Sequence, residues 1–307
     1  MDKLNILVTG GGAPGIEGTL YSLRNHNVVT CDMNKNAVGK YLSDKFYQIY
    51  PASNKSYLKD LKWICKEENI DVVLPQNTAE LDKLYNADLP VKVAIAGRNI
   101  GKNDVCEGEV VRSLGELANY FLSHNKFVLK PLNSSGGRGV RIISHENEDF
   151  MRKPGIPVVT MDQLLDELPK EFELWVMPYY EGEETTVDCF VGNEFTAIPR
   201  KRVQIRSGIT FEAEVVKNED LIEKCRVLAE RLGLKYAFGF QFIDGKVIEC
   251  NARVQGSMVV STFAGANMIE AACLHAMGLP YSFDIDWDTK FIRYWGGIGI
   301  NNEIIKI

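Results

Sequence analysis

The first hundred residues alternate short apolar runs with helical patterns, and this alternation constrains the fold more than any other feature. The pattern predicts strands over residues 5–9, 26–31 and 71–75 and helices over residues 17–24 and 57–68. Strands separated by helices form a parallel sheet, because each connection has to cross over and return to the same edge. The sequence therefore predicts an α/β, Rossmann-like domain at the N-terminus, with ligands beyond the carboxyl ends of its strands.

A polar segment at residues 97–108, which contains three glycines, predicts a linker. We therefore place the domain boundary at residue 100, giving domains of residues 1–100 and 101–307. Strands in close succession with interspersed helices predict an α+β second domain with antiparallel sheet. Its expected strands cover residues 127–131, 139–143, 174–177, 185–191 and 238–243, and its expected helices residues 110–121, 161–168, 220–232 and 266–277.

Charge and cysteine content exclude some classes of protein. The 35 Lys and Arg residues are outnumbered by 41 Asp and Glu residues, and the net charge of -6 argues against nucleic acid as the main partner. Seven scattered cysteines without a C-x-x-C pair predict buried free thiols in a reducing compartment. The N-terminus has no signal-peptide pattern, and the apolar stretch at 258–280 contains Glu270 and His275. We expect a cytoplasmic protein without membrane or nucleic-acid partners.

The glycines of the sequence Gly10-x-Gly12-x-x-Gly15 follow the first predicted strand, and Asp32 ends the next one. This arrangement formally satisfies the dinucleotide fingerprint and would suit a nicotinamide-dependent oxidoreductase. Pro14 inside the loop is unusual for a backbone that has to approach a pyrophosphate. The alternative is that these glycines only turn the strand tightly into the following helix, and the sequence leaves both interpretations open.

Lys130 ends a predicted strand and is followed by a run of small residues. Backbone N–H groups of such a loop can turn toward one point and form a nest for phosphate oxygens beside the lysine charge. The alternative is an ordinary flexible hairpin turn. The candidate phosphate-binding residues are Lys130, Ser134, Ser135, Gly136, Gly137 and Gly139.

Three oxygen-bearing side chains lie on a second predicted hairpin. Glu249 and Asn251 are two residues apart on an extended run, so their side chains leave the same face of the strand. Gln241 precedes the Asp244-Gly245 turn and can point to the same place. Oxygen ligands without histidine or cysteine suit Mg²⁺ or Mn²⁺, which take their remaining ligands from water and nucleotide phosphates. The alternative is a solvated strand face.

The Lys130 loop and this hairpin, in this order and roughly 110 residues apart, resemble the ATP-grasp superfamily of ligases. Within the superfamily they resemble the ATP-binding halves of the carbamoyl phosphate synthetase large chain. The resemblance implies an α/β preceding domain followed by an α+β ATP-grasp domain of two subdomains. It implies ATP and Mg²⁺ (or Mn²⁺) as cofactors, and it assigns each matched residue a role. For the nucleotide, Lys130 would contact the phosphates under a closing loop of residues 134–139, Val176 and Met177 would hold adenine through backbone groups, and Glu184 would bind the ribose. For the metal, Gln241, Glu249 and Asn251 would be the ligands, and Gln241 would also bind the nucleotide. Arg253 would stabilise an acyl phosphate.

A basic segment lies between the expected adenine-binding residues, Val176 and Met177, and the hairpin with the candidate metal ligands. Arg200, Lys201, Arg202 and Arg206 could hold a γ-phosphate or a substrate carboxylate, because the fork of arginine suits either anion. A solvated basic strand is the alternative. We name Lys130, Arg206 and Arg253 as candidate catalytic residues. The sequence departs from the family at two places. Many family members have an acidic residue in the adenine-binding segment where this chain has Met177-Pro178. The family's usual basic ATP-contacting residue before Lys130 is also missing, and Lys102 is the candidate for that role.

The function expected from the resemblance is that of an ATP-dependent ligase forming a C–N bond. A small carboxylate would become an acyl phosphate, and an amine would displace the phosphate, with both substrates bound between the two domains. Two alternatives remain at this stage: the oxidoreductase using the loop from Gly10 to Gly15, and a non-catalytic ATP-binding subunit of a split synthetase. The sequence also leaves open a homodimer or a partner synthetase subunit.

Overall fold

In a computed structural model of the 307-residue chain, the structure describes residues 3–124, 126–132, 139–144, 156–169, 171–206, 208–294, 296–300 and 304–306. Four candidate phosphate-binding residues, Ser134, Ser135, Gly136 and Gly137, lie outside these described residues.

The first sheet is five-stranded and entirely parallel, with strand order β3-β2-β1-β4-β5. This confirms the predicted parallel sheet. The pattern missed β3 and β5, because both are short strands at the sheet edges that bury few side chains. The elements are β1 Asn5–Thr9, α1 Ile16–Ser22, β2 Asn27–Asp32, α2 Gly39–Leu42, β3 Lys45–Gln48, α3 Tyr57–Glu67, β4 Val72–Leu74, a 3₁₀ turn at Thr78–Glu80, α4 Leu81–Tyr85 and β5 Lys92–Val93.

The second sheet has the order β6-β10-β7-β8-β9 and is mostly antiparallel. The predicted helix over residues 110–121 is wrong at its start, where Val110 and Val111 belong to a strand. The helix begins only after Ser113, whose Oγ accepts the N–H of Glu116 as an N-cap. The elements are α5 Lys102–Val105, β6 Glu109–Val111, α6 Leu114–Ser123, β7 Lys126–Pro131, β8 Arg141–Ser144, β9 Val158–Val159, α7 Met161–Glu167 and β10 Leu174–Pro178.

The third sheet is antiparallel, with the order β15-β14-β11-β12-β13-β16. The expected strands included neither β12 nor β13. Consecutive basic residues interrupt the apolar alternation of β12, whereas β13 was missed although Phe211, Ala213 and Val215 alternate with polar residues as in a strand. The elements are β11 Glu184–Val191, β12 Phe195–Arg206, β13 Ile209–Val215, α8 Glu219–Leu232, β14 Tyr236–Ile243, β15 Lys246–Asn251, α9 Val259–Phe263, α10 Met268–Ala276 and β16 Lys290–Ile292, with a separate hairpin of β17 Ile298–Ile300 and β18 Ile304–Lys306.

A shared hydrophobic core joins the first sheet to the rest of the chain. Ile6 and Val8 of β1 belong to the same buried cluster as Met268 and Cys273 of α10. The apolar stretch at residues 258–280 thus contributes α9 and α10 to this junction. Among the described residues, every helix is too short or too polar to cross a membrane. All seven cysteines are unpaired, and all except Cys250 are buried.

Candidate functional site

A cleft of about 450 Å³ lies between the second and third sheets. Its walls are mostly apolar, and Lys130 and Glu184 are the charged residues among those that line it. An apolar slot with a few polar groups at its edge is the usual form of a nucleotide or cofactor site. The lining residues are Val128, Lys130, Val140, Ile142, Ile156, Met177, Pro178, Tyr179, Tyr180, Glu184, Ile243 and Ile248.

Lys130 and Lys102 bring two positive charges to one end of this cleft. Lys102 Nζ donates hydrogen bonds to the carbonyl oxygens of Pro131 (3.1 Å) and Leu132 (2.7 Å), which begin the predicted loop. Burial lowers the pKa of the Lys102 ammonium, the charge of Lys130 lowers it further, and Glu249 opposes the shift. Lys102 therefore holds the backbone at the start of the loop through hydrogen bonds. An anion bound beside Lys102 and Lys130 would reduce the repulsion between their two charges.

Strand β10, which contains the expected adenine-binding residues Val176 and Met177, presents alternate side chains to opposite faces of the second sheet. Met177 lines the cleft, whereas Val176 is fully buried in the core on the other face. Val176 also lies opposite Glu109 and Leu129 in the strand ladders on both sides. The side chain of Val176 therefore lies away from the cleft and its backbone lies within the sheet, while Met177 can contact a nucleotide with its side chain.

Glu184 begins β11 at the edge of the cleft and is held by Arg202. Arg202 Nη1 lies 3.0 Å from Glu184 Oε2, and the same guanidinium donates to Thr210 Oγ1 (3.0 Å) and the carbonyl of Gly208 (2.7 Å). Burial lowers the pKa of Arg202, and the charge of Glu184 opposes the shift. The pair fixes the Glu184 carboxylate at the cleft wall.

The candidate metal ligands lie together on one face of the third sheet. Gln241 of β14 is directly opposite Glu249 of β15, and Asn251 is opposite Gly239. A β-bulge places one extra residue, Ile248, between the paired positions. The bulge turns Ile248 toward the cleft and keeps Val247 and Cys250 packed in the core below, so Glu249 shares its face with Gln241.

Arg253 approaches this face from a sharp turn after β15, where its N–H donates to the carbonyl of Asn251 (2.7 Å). Its Nη2 donates to Asn251 Oδ1 (3.2 Å), and its Nε donates to Thr78 Oγ1 of the N-terminal domain (3.0 Å). Burial lowers the pKa of the guanidinium, and the charges of Glu249 and Glu80 oppose the shift. Arg253 thus connects a candidate metal ligand to the other domain.

The donor set suits a hard divalent cation that binds together with a nucleotide. Gln241, Glu249 and Asn251 supply oxygen atoms only, and the side chains of Gln241 and Glu249 make no hydrogen bond to another described residue. Glu249 is the only carboxylate of the three, and the described residues contain no cluster of three His, Cys, Asp or Glu side chains that could hold a metal. One carboxylate surrounded by Lys102 and Arg253 leaves most of the charge of Mg²⁺ to be balanced by phosphates.

The loop from Gly10 to Gly15 is occupied by contacts within the protein. Asp32 Oδ2 accepts the N–H of Gly12 (2.8 Å), and Asp32 Oδ1 accepts the N–H of Asn34 (2.7 Å). A Cβ atom on Gly15 would lie 2.2 Å from the Cα of Gly256, which follows β15 in the sequence. These contacts favour the structural interpretation: the third glycine allows the two domains to touch.

The basic segment of β12 divides between buried and exposed positions. Arg200 is fully buried and forms a bidentate pair with Asp188 (2.7 and 2.9 Å), so its charge is balanced within the protein. Lys201 is paired with Glu183 at the surface. Arg206 is exposed, stacks over Phe211 (4.6 Å) and donates to Gln204 (3.2 Å); none of its contacts with described residues connects it to the cleft. Gly139, with a φ of +73°, leads into β8 beside the cleft.

Sequence reasoning did not single out Thr78 or Ile248. Thr78 was visible only as part of a polar segment after a strand, and nothing in the sequence placed it against Arg253. In a regular strand, the side chain of Ile248 would lie on the face opposite to that of Glu249. The bulge at Ile248 turns this side chain to the cleft. The pairing of Arg202 with Glu184, 18 residues apart in the sequence, depends on the register of β11 with β12.

Comparisons with known proteins agree with this architecture. Residues 6–93 match the family model of the PylC-like N-terminal domain, and residues 170–292 match the model described as ATP-grasp in the biosynthetic pathway with Ter operon. A search of curated protein sequences gives no significant match. The chain therefore combines a PylC-like N-terminal domain with an ATP-grasp domain, which confirms the resemblance to ATP-grasp proteins.

Solved structures with the same fold include three from different organisms. The chain is similar to N5-carboxyaminoimidazole synthetase from Staphylococcus aureus in complex with ADP (15% identity, TM-score 0.69, covering 93% of this chain and 81% of that chain). It is similar to carboxyaminoimidazole ribonucleotide synthase from Aspergillus clavatus in complex with ATP (17%, 0.64, 92% and 78%). It is also similar to pyruvate carboxylase from Rhizobium etli (14%, 0.64, 94% and 30%). At these identities the likeness establishes the fold.

Proposed function

We propose that this chain is an ATP-dependent ligase that activates a small carboxylate as an acyl phosphate for attack by an amine. One observation carries the proposal: Gln241, Glu249 and Asn251 share one face of two paired strands, with Arg253 hydrogen-bonded to Asn251. The cleft lined by Lys130 and Glu184 lies beside them, since Ile243 and Ile248 of the same two strands also line it. Solved structures with this fold contain ADP or ATP, which supports a nucleotide in the cleft.

The residues of the chain divide the reaction among them. A carboxylate oxygen of the substrate would attack the γ-phosphorus of ATP, and ADP would leave. Lys130, supported by its neighbour Lys102, would neutralise phosphate charge, and Arg253 would face the transferred phosphoryl group. Gln241, Glu249 and Asn251 would hold a divalent cation, whose chemistry there would be to neutralise phosphate charge. The amine would then form the C–N bond at the acyl carbon and expel inorganic phosphate.

Calorimetry tests the nucleotide and metal part of this proposal. The wild-type protein should bind ADP in the presence of Mg²⁺. Glu249→Gln should weaken Mg²⁺-dependent ADP binding by roughly 10- to 100-fold, because it removes the only carboxylate among the candidate ligands. Glu194→Gln, in the exposed turn between β11 and β12, is the matched control. Absence of ADP binding to the wild type, or equal binding by the Glu249 variant, would contradict the proposal.

A turnover screen tests the chemistry separately. ADP release over many turnovers should require ATP, a carboxylate and an amine together, because each is consumed in one cycle. Crossing a panel of small acids with a panel of amines would therefore identify both substrates. Intact ADP binding without turnover for any pair would favour the non-catalytic ATP-binding subunit over the ligase.

A further inference from the structure

We propose that Glu80 of the N-terminal domain is a positioning residue for the metal site and acts through Thr78 and Arg253 on Asn251. The inference rests on the proposed function, since it assigns Asn251 to the metal. It adds that the N-terminal domain completes the metal site through a chain of direct contacts. Neither Glu80 nor Thr78 touches the cleft lining itself, so both act through other residues.

Glu80 organises the loop that follows β4. Its side chain is almost fully buried, at 3% exposure. Oε1 accepts the N–H groups of Gln76 (3.1 Å) and Asn77 (2.8 Å) and the hydroxyl of Thr9, while Oε2 accepts the hydroxyl of Tyr57. One carboxylate therefore connects strand β1, helix α3 and the loop backbone after β4, and it fixes the 3₁₀ turn that carries Thr78.

Thr78 connects this turn to Arg253 of the other domain. Its Oγ1 accepts Nε of Arg253 (3.0 Å), and Nη2 of the same guanidinium donates to Asn251 Oδ1 (3.2 Å). The amide oxygen of Asn251 has two lone pairs, so one remains for a metal ion while the other holds Arg253. Hydrogen bonds of this kind fix the direction of a metal ligand and affect metal affinity without touching the ion.

The hydrogen bonds of Arg253 are with uncharged groups. Among the described residues, no carboxylate lies within hydrogen-bonding distance of Arg253, whose contacts are a hydroxyl, a carbonyl and an amide oxygen. Burial raises the pKa of Glu80, so its role rests on the hydrogen bonds that fix the turn carrying Thr78.

Substitution of Thr78 tests the chain of contacts with little disturbance of the fold. Thr78→Val removes the oxygen that holds Arg253 and keeps the side-chain shape, whereas Thr78→Ser keeps the oxygen. We expect Thr78→Val to weaken Mn²⁺ binding to the ADP complex about tenfold, measured by the electron paramagnetic resonance signal of free Mn²⁺. Thr78→Ser should bind Mn²⁺ as the wild type does. ADP binding without metal should be equal in all three proteins.

The matched control is Thr262→Val, which breaks another hydroxyl contact between the domains. Thr262 Oγ1 lies 2.8 Å from Ser22 Oγ, and neither residue contacts Arg253. Thr262→Val should leave Mn²⁺ affinity unchanged. Equal Mn²⁺ affinities of Thr78→Val and the wild type, or an equal loss in Thr262→Val, would overturn the inference.

Glu80→Gln tests the first contact in the series from Glu80 through Thr78 and Arg253 to Asn251. It should also weaken Mn²⁺ binding to the ADP complex, and it should lower thermal stability because the amide presents N–H groups to backbone donors. A folded Glu80→Gln with wild-type Mn²⁺ affinity would overturn the role of Glu80. If Glu80→Gln does not fold, the Thr78 variants decide. Failure of the proposed function would look different, because the wild type itself would then bind no Mn²⁺ in the presence of ADP.

Discussion

Replacing Gly15 with alanine should destabilise the protein by about 3 kcal/mol, the upper end of the range for overpacking. The added Cβ would lie 2.2 Å from the Cα and 2.5 Å from the carbonyl oxygen of Gly256. Both contacts are with backbone atoms, so no change of rotamer can relieve them, and the two domains have to separate locally. The reduced conformational freedom of alanine in the unfolded chain offsets only about 0.4–1 kcal/mol of this cost.

Gly256→Ala is the matched control, because the same contact is asymmetric. A Cβ on Gly256 would lie 3.6 Å from the Cα and N of Gly15, which is an ordinary van der Waals distance. The effect of this change on the free energy of unfolding should stay within about 1 kcal/mol. Denaturation by urea, followed by circular dichroism, would give both free energies, and Gly15→Ala should also lower the melting temperature by about 5–10 °C.

The result also bears on the dinucleotide interpretation of the loop. If Gly15 is required because the domains touch, Gly15→Ala loses stability without any cofactor present. Equal unfolding free energies for Gly15→Ala and Gly256→Ala would refute the reasoning. A nicotinamide cofactor that stabilises the wild type but not Gly12→Val would support the oxidoreductase, against the occupied N–H of Gly12.

Three further predictions follow from charges in the structure. Lys130→Met should weaken ATP binding roughly 10- to 100-fold by calorimetry, because a bond to a charged group is lost, whereas Lys66→Met on the exposed side of α3 should have no effect. Asp188→Asn should lower the free energy of unfolding by about 3–5 kcal/mol, because it leaves a buried guanidinium unbalanced, whereas Lys201→Met should cost under about 1 kcal/mol. Removing nucleotide should abolish detectable Mg²⁺ binding at concentrations that saturate the ADP complex, since Glu249 is the only carboxylate among the candidate ligands; tight Mg²⁺ binding without nucleotide would contradict this.

The local patterns predicted the parts of the fold whose strands are buried. β1, β2 and β4 of the first sheet are apolar runs bounded by turn residues, and each lies within two residues of its predicted limits. The edge strands β3 and β5 were missed because they are short, and β12 was missed because consecutive basic residues break its alternation. β13 was missed although its apolar and polar residues alternate. In β12 those charges are buried by partners elsewhere in the sequence: Arg200 needs Asp188, and Arg202 needs Glu184.

The candidate site shows the same division. Spacing of two on an extended run was enough to place Glu249 and Asn251 on one face, and the hairpin turn was enough to bring Gln241 beside them. The bulge at Ile248 and the contact of Thr78 with Arg253 depend on tertiary packing, which no short sequence window contains. Sequence patterns therefore brought the candidate ligands together on one strand face, and tertiary contacts determine how their side chains are oriented.

Charge distinguishes this strand face from the solvated face that the sequence left open. A solvated face carries charges that are exposed or paired, as Lys201 is with Glu183. Here Lys102 and Arg253 are partly buried and, within the described part of the chain, hydrogen-bond to carbonyl, hydroxyl and amide oxygens without a carboxylate. Burial of two such cations beside a single acid, Glu249, disfavours the folded state, and a bound polyanion would reverse that cost. This charge balance supports the proposed binding of phosphates at this face, and the same imbalance is the reason to expect a metal ion to bind only after the nucleotide.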